Sequence, residues 1–307
     1  MIMSLPDISV VIPTYCREQI LIDTLEMLRP LLMLTDEVIV VDQTPTHDTA
    51  TEAYLCDLEH ASWLHWVKLA HPSIPIAMNH GLRVARNRIV LFLDDDIVPD
   101  CNLLNKHRKN FVNSDVWAVS GQILQPDEEP IILSTQRCKK GLYLDMDFRF
   151  NTNSGCEISN VMAGNLSVHR EAVMEVGGFD ENFIGVAYRF ETEFARRILQ
   201  YGGKIIFEPS ASIRHLRSPS GGTRRYGNHL TSASPMHGVG DYYFALRQGI
   251  STSTMWYMLL RPFREIRTRF HLRAPWWIPV KLIGEVRALL LAVKLYLKGP
   301  RLMREKK

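Results

Sequence analysis

Short runs of β-branched and aliphatic residues recur along the first 215 positions, each followed by a stretch whose apolar residues repeat every three or four places. Runs of the first kind fit strands buried on both faces, and the second pattern fits amphipathic helices. Strands are expected over residues 8–13, 37–42, 63–69, 88–93 and 116–124. Between them come a helix carrying Ile22, Leu25, Leu28 and Leu32, one ending near residue 60, and others over 75–87 and 100–113. This alternation predicts an α/β fold, a mostly parallel central sheet with helices on both faces. From 125 to 157 the pattern lapses, with Pro126 and Pro130 marking loops and one strand expected over 141–148. Order resumes with a strand at 158–168, helices at 169–176 and 190–201, strands at 204–207 and 211–215, and a flexible basic loop over 218–225.

Beyond residue 250 the texture changes. Met255, Leu259, Phe263, Ile266 and Phe270 form one apolar stripe, while Arg261, Arg264, Arg267 and Arg269 fall outside it. Residues 280–297 are apolar, but Lys281, Glu285, Arg287 and Lys294 interrupt them too often for a spanning helix of about 20 residues. The reading is therefore a C-terminal amphipathic helical appendage over 241–307, behind a body at 1–240 that divides near residue 124.

Composition sharpens that contrast. With 307 residues and 46% hydrophobic content the chain can bury a full core, which excludes a disordered or fibrous protein. The net charge of +3 hides an asymmetry: residues 251–307 hold 13 Lys and Arg against 3 Asp and Glu, so the body is net acidic. A basic amphipathic tail points to an anionic membrane surface, with no nucleic acid expected. Cysteines at 16, 56, 101, 138 and 156 are odd in number and lack a CxxC pair, which suits reduced thiols rather than disulfides or a zinc site. The N-terminal residues lack a basic segment followed by an apolar run, so no secretory signal is read there. The expected location is cytoplasmic, peripheral on the cytoplasmic face of a membrane.

The chemistry gathers where the strand at 88–93 stops abruptly at Asp94, Asp95 and Asp96. Ligands bind at the carboxyl ends of strands in open α/β sheets, and acids one residue apart offer hard oxygen ligands to Mg²⁺ or Mn²⁺. Asp42 closes another strand in the same way.

Four blocks carry a resemblance: Val10 to Arg17 (VVIPTYCR), Val38 to Asp42 (VIVVD), Leu91 to Asp96 (LFLDDD), and Ala163 to Arg170 (AGNLSVHR) followed by Gly177-Gly178-Phe179-Asp180. In this order and spacing the chain resembles the family 2 glycosyltransferases, over about residues 7–225. The resemblance implies the nucleotide-sugar-binding GT-A fold and a nucleoside-diphosphate sugar as donor. It assigns Pro13, Thr14, Tyr15 and Arg17 to the nucleotide pocket and Asp42 to the base or ribose. Asp94 and Asp96 become the acids facing the metal and diphosphate, Asp95 lies near the donor sugar or ribose, and His215 is a further metal ligand. Asn79 keeps its place in a block where Met78 stands for the family's arginine. In the acceptor-side acid motif Phe190 replaces the first acid and Glu191 the second, making Glu191 the base, while Glu193 points elsewhere on the helix.

The implied activity is inverting, metal-dependent transfer of a sugar to a hydroxyl of a glycan or lipid-linked glycan. Two other readings stand beside it. A sugar nucleotidyltransferase also places acids at strand ends, although it usually carries a glycine-rich basic loop where this chain has Pro13 to Arg17. A non-catalytic glycan- or nucleotide-binding protein of the same fold would suit the altered Met78 and Phe190.

Overall fold

A computed structural model describes residues 5–132 and 140–303. The chain runs β1 (Ile8–Thr14), α1 (Gln19–Leu28), β2 (Glu37–Asp42), α2 (Thr49–His60), β3 (Leu64–Lys68), α3 (Ile74–Val84), β4 (Ile89–Leu93), β5 (Ile97–Pro99), α4 (Leu103–Asn110) and β6 (Val116–Leu124). There follow β7 (Cys156–Glu157), β8 (Asn165–His169), α5 (Arg170–Glu175), α6 (Phe190–Gln200), β9 (Lys204–His215), α7 (Val239–Arg247), α8 (Thr252–Ile266), α9 (Arg269–Arg273) and α10 (Ile278–Lys298).

One sheet joins the strands in the order β3-β2-β1-β4-β8-β6-β9-β5, with β7 on β9. The expected parallel pairing holds from β3 through β4 and again for β6 with β9. Between these halves β8 runs antiparallel to both β4 and β6, which makes the whole sheet mixed. Side chains alternate across it. Val10 and Ile12 pack with Leu21 and Leu25 of α1 and Leu55 of α2, while Val11, Val90 and Phe92 pack with Leu82 of α3 and Phe179 on the other face. Two buried layers on opposite faces are what a period-2 pattern of apolar residues requires.

Some expectations are corrected. The strand at 141–148 is absent: Gly141–Tyr143 is a 3-10 turn, and Phe148 and Phe150 instead seal the core against Phe207. Of the strand expected at 158–168 only 165–169 pairs with neighbours. The two strands at 204–207 and 211–215 are one, whose pairing with β6 jumps from Gly121–Glu208 to Gln122–Ser212 around Pro209. Proline cannot donate to the ladder and is accommodated at such an irregularity. Cysteines 16, 56 and 101 are free thiols; Cys138 lies outside the described residues.

The tail is packed on the body. Tyr242, Tyr243 and Phe244 of α7 share one core with Phe179 and Phe194, as do Tyr257 of α8 and Ala288 and Ala292 of α10. No helix among the described residues is long and apolar enough to cross a membrane.

Candidate active site

β4 delivers the three acids, and the register of the next strand decides what they meet. β5 begins one residue after Asp96 and pairs antiparallel with β9, setting Ile97 opposite His215. A histidine 119 residues away in sequence is thereby carried to the acids. His215 Nε2 lies 3.0 Å from Asp96 Oδ1 and 3.8 Å from Asp94 Oδ2. One ligand atom from each of the three residues lies within 4.8 Å of the others. The Nδ1 of His215 sits 3.3 Å from Gln125 Oε1, a contact that turns Nε2 toward the carboxylates. The second oxygen of Asp96 accepts from the Ser218 amide at 2.8 Å, leaving Oδ1 for the site. Two carboxylates and one imidazole suit Mn²⁺ or Mg²⁺ in chemistry and in convergence.

The charges support one another. The Asp96 carboxyl is held below its ordinary value: burial opposes ionisation, but His215, the Ser218 amide and Arg17 outweigh it. His215 is raised, chiefly by its hydrogen bond to Asp96. Asp95 takes a different part. It accepts from the Thr14 hydroxyl at 2.7 Å and meets Arg17 Nε at 3.2 Å, tying the loop after β1 to the acids. Arg17 also donates to the Ser220 carbonyl, and the Gly222 amide donates to the Tyr15 carbonyl at 2.9 Å. A 3-10 turn over Gly222–Tyr226 therefore closes the rim of the site, with the Arg225 guanidinium 5.0 Å from the Tyr15 ring centre.

These groups line a cleft of about 520 Å³, a volume in the range of small-molecule and cofactor sites. Pro13, Thr14, Tyr15, Arg17, Asp94, Asp95, Asp96 and His215 all reach its wall. Two of the expected nucleotide contacts do not. Asp42 is buried, its oxygens accepting from the Thr44 amide at 2.8 Å, the Trp66 indole at 3.0 Å and His47 Nε2 at 2.8 Å. The adjacent Gln43 reaches the cleft in its place. Asn79 is turned into the core, bonded to both the amide and the carbonyl of Phe179 at 2.8 Å. Its work is to hold the Gly178-Phe179 turn, while Met78 lines the cleft.

Glu191 stands at the first turn of α6 and accepts from the Ala163 amide at 2.7 Å. Ala163 itself lines the cleft. Burial pushes the Glu191 carboxyl up to about 7, and the nearby Asp94 adds to that, against the Ala163 amide and Arg189. Glu193 faces away, bonded to Arg197 at 2.8 Å. Phe190, where the family has an acid, packs 5.7 Å from the Phe179 ring. The Ala163-Gly164 block has a physical reason too: a Cβ on Gly164 would stand 2.1 Å from Asp94 Oδ2. Gln43, Gln125, Ser218 and the Gly164 contact were not readable beforehand, since each depends on strand register or loop closure.

A sequence model of glycosyl transferase family 2 matches residues 9–177, more than half of the chain. The chain belongs to that family. It is a glycosyltransferase, and the nucleotidyltransferase and non-catalytic readings fall away. Among solved structures it is similar to a mannosyltransferase of Pyrobaculum calidifontis in complex with GDP-Man and Mn²⁺, at 19% identity and a TM-score of 0.55, over 97% of this chain and 80% of that one. It is also similar to GalNAc-T7 with UDP, GalNAc and Mn²⁺, at 13% identity and a TM-score of 0.60, over 83% of this chain and 54% of that one. At these identities the likeness is one of fold, the GT-A fold that the four blocks implied. No curated protein matches the chain in sequence.

Proposed function

We propose that the chain transfers a sugar, with inversion, from a nucleoside-diphosphate sugar to a hydroxyl of a glycan or lipid-linked glycan. The observation that carries this reading is the convergence of Asp94, Asp96 and His215 at one end of the cleft, with Glu191 on a separate element beside it. Mn²⁺ or Mg²⁺ held by these three residues would neutralise charge on the leaving diphosphate. Pro13, Thr14, Tyr15, Gln43 and Arg17 supply the nucleotide wall, and Arg225 stands at the rim where a guanidinium pairs with phosphate. Glu191, on an element separate from the three ligands, removes the acceptor proton as the acceptor hydroxyl attacks from the face opposite the leaving diphosphate. That the two similar structures hold a nucleotide or nucleotide sugar with Mn²⁺ supports the donor and the metal. The same proposal places the enzyme in the cytoplasm, attached peripherally to an anionic membrane through residues 241–307.

Thermal-shift measurements over a panel of nucleotide sugars, with and without Mn²⁺, test the donor. Ligands that bind the native state raise the midpoint with occupancy, so one nucleotide class is expected to stabilise the chain and to do so far more with Mn²⁺ present. Equal shifts with and without the metal would contradict its part in donor binding.

A further inference from the structure

The last helices of the chain are turned inside out. On α8, Arg261 is 2% exposed, whereas Trp256, Leu259 and Phe263 are 61%, 57% and 62% exposed. On α10, Lys281 and Glu285 are each 2% exposed and Leu290 is 65%. Spacing explains the geometry. Thr254, Tyr257 and Arg261 recur at three and four places and face the body, so Met255, Leu259 and Phe263 point directly away from it. The same holds on α10 for Lys281, Glu285, Ala288 and Ala292 against Ile283, Val286 and Leu290.

The inward charges lie in ion-pair contact with one another. Arg261 meets Asp241 of α7 at 3.1 Å, Glu265 at 2.9 Å and Glu285 at 3.4 Å, and Lys281 meets Glu265 at 2.9 Å and Glu285 at 3.1 Å. Both acids between 251 and 303, Glu265 and Glu285, are thus engaged internally. Every exposed charged side chain between 251 and 303 is an Arg or Lys, Arg267, Arg287 and Lys294 among them. The outer surface is therefore apolar and cationic, with no exposed acid among its described residues.

From this we infer that α8 and α10 seat the enzyme on an anionic bilayer by sinking their apolar faces into the headgroup boundary. This rests on the peripheral attachment proposed above, and it adds the surface and the mode of contact. Charge complementarity selects the occupant. A second copy related by a twofold axis would set cations against cations, whereas anionic headgroups meet them favourably. Trp256 and the 68%-exposed Trp276 supply the amphipathic rings that settle at headgroup depth. Apolar burial is the larger contribution, so salt weakens the attachment without abolishing it. The seat is also tied to the chemistry: Asp241, which holds Arg261, meets Arg189 at 3.4 Å, two residues before Glu191.

The test is co-sedimentation of the full chain with vesicles of phosphatidylcholine alone and of phosphatidylcholine with phosphatidylserine, at low and high salt. The wild type is expected to bind the phosphatidylserine vesicles and to retain part of that binding at high salt. L259D with L290D is expected to weaken it by roughly tenfold or more at either salt, with an unchanged melting midpoint because both side chains are exposed. R267Q with R287Q is expected to lose mainly the salt-sensitive part. A wild type that ignores both vesicles overturns the attachment itself. A wild type that binds equally well after L259D and L290D overturns the assigned face alone. A lipid-indifferent dimer dispersed by the same pair would give the face to a second copy instead. Quenching of Trp256 and Trp276 by brominated lipid is a second readout; its absence while the protein is vesicle-bound also overturns the face.

Discussion

Glu191 shows how one side chain acquires its chemistry from its surroundings. Burial lifts its carboxyl to about 7, so near neutrality it interconverts between a proton acceptor and an inert acid. As the acceptor base proposed above it must be ionised to work, so kcat/KM is expected to rise with pH through about 7 and level off above it. Glu191→Gln should lower kcat by between about 100-fold and about 10,000-fold while leaving donor affinity intact, as donor-induced thermal shifts would register. A second buried group reads out in stability instead. His47 donates to Glu18 at 2.9 Å and to Asp42 at 2.8 Å, and although burial opposes its charge, those two carboxylates raise its pKa above the ordinary 6.5. A raised folded value means the stabilisation is full below the unfolded value and fades as pH rises through the folded one. The melting midpoint of His47→Asn should therefore fall well short of wild type at about pH 6 and approach it at about pH 9.

At the scale of elements, legibility followed how local the determining contacts are. β1, β2 and β4 declare themselves because short β-branched runs bounded by polar and turn residues fit strands buried on both faces, and the acid triplet after β4 stands out where such a run stops. β5 is three residues long and exists because it pairs with β9, so no local pattern announces it; yet it is what brings His215 to the acids. At Asp42, Trp66 and His47, supplied by a neighbouring strand and loop, both bond to Oδ2, and no local pattern in β2 announces either contact. The stripe through Met255, Leu259 and Phe263 was legible as a stripe; which way it faces was not, because that depends on Asp241 and Glu285 drawing Arg261 inward. The inversion makes a contrast that ordinary amphipathic helices reverse. Glu285→Ala should cost about 3 kcal/mol in chemical denaturation by leaving Arg261 and Lys281 under-compensated in the interior, whereas Leu290→Asp should stay within about 0.5 kcal/mol of wild type.

Across the whole molecule, the parallel half of the sheet ends in the cleft wall at Pro13 to Arg17, the antiparallel β8 leads from the Ala163-Gly164 loop that holds Glu191 and makes room for Asp94, and β9 brings His215. The tail helices share the core of this assembly, so the surface they present is packed on the same core as the cleft. What the arrangement predicts above all is that donor chemistry depends on the three converging ligands. The most direct measurement is release of nucleoside diphosphate from the donor that stabilises the chain, assayed with acceptor and Mn²⁺ for the wild type and for Asp96→Ala. Metal ligation by Asp94, Asp96 and His215 predicts turnover by the wild type that is abolished by chelation, restored by added metal, and lost in Asp96→Ala at any metal concentration. Wild-type turnover by Asp96→Ala in the presence of metal would contradict it.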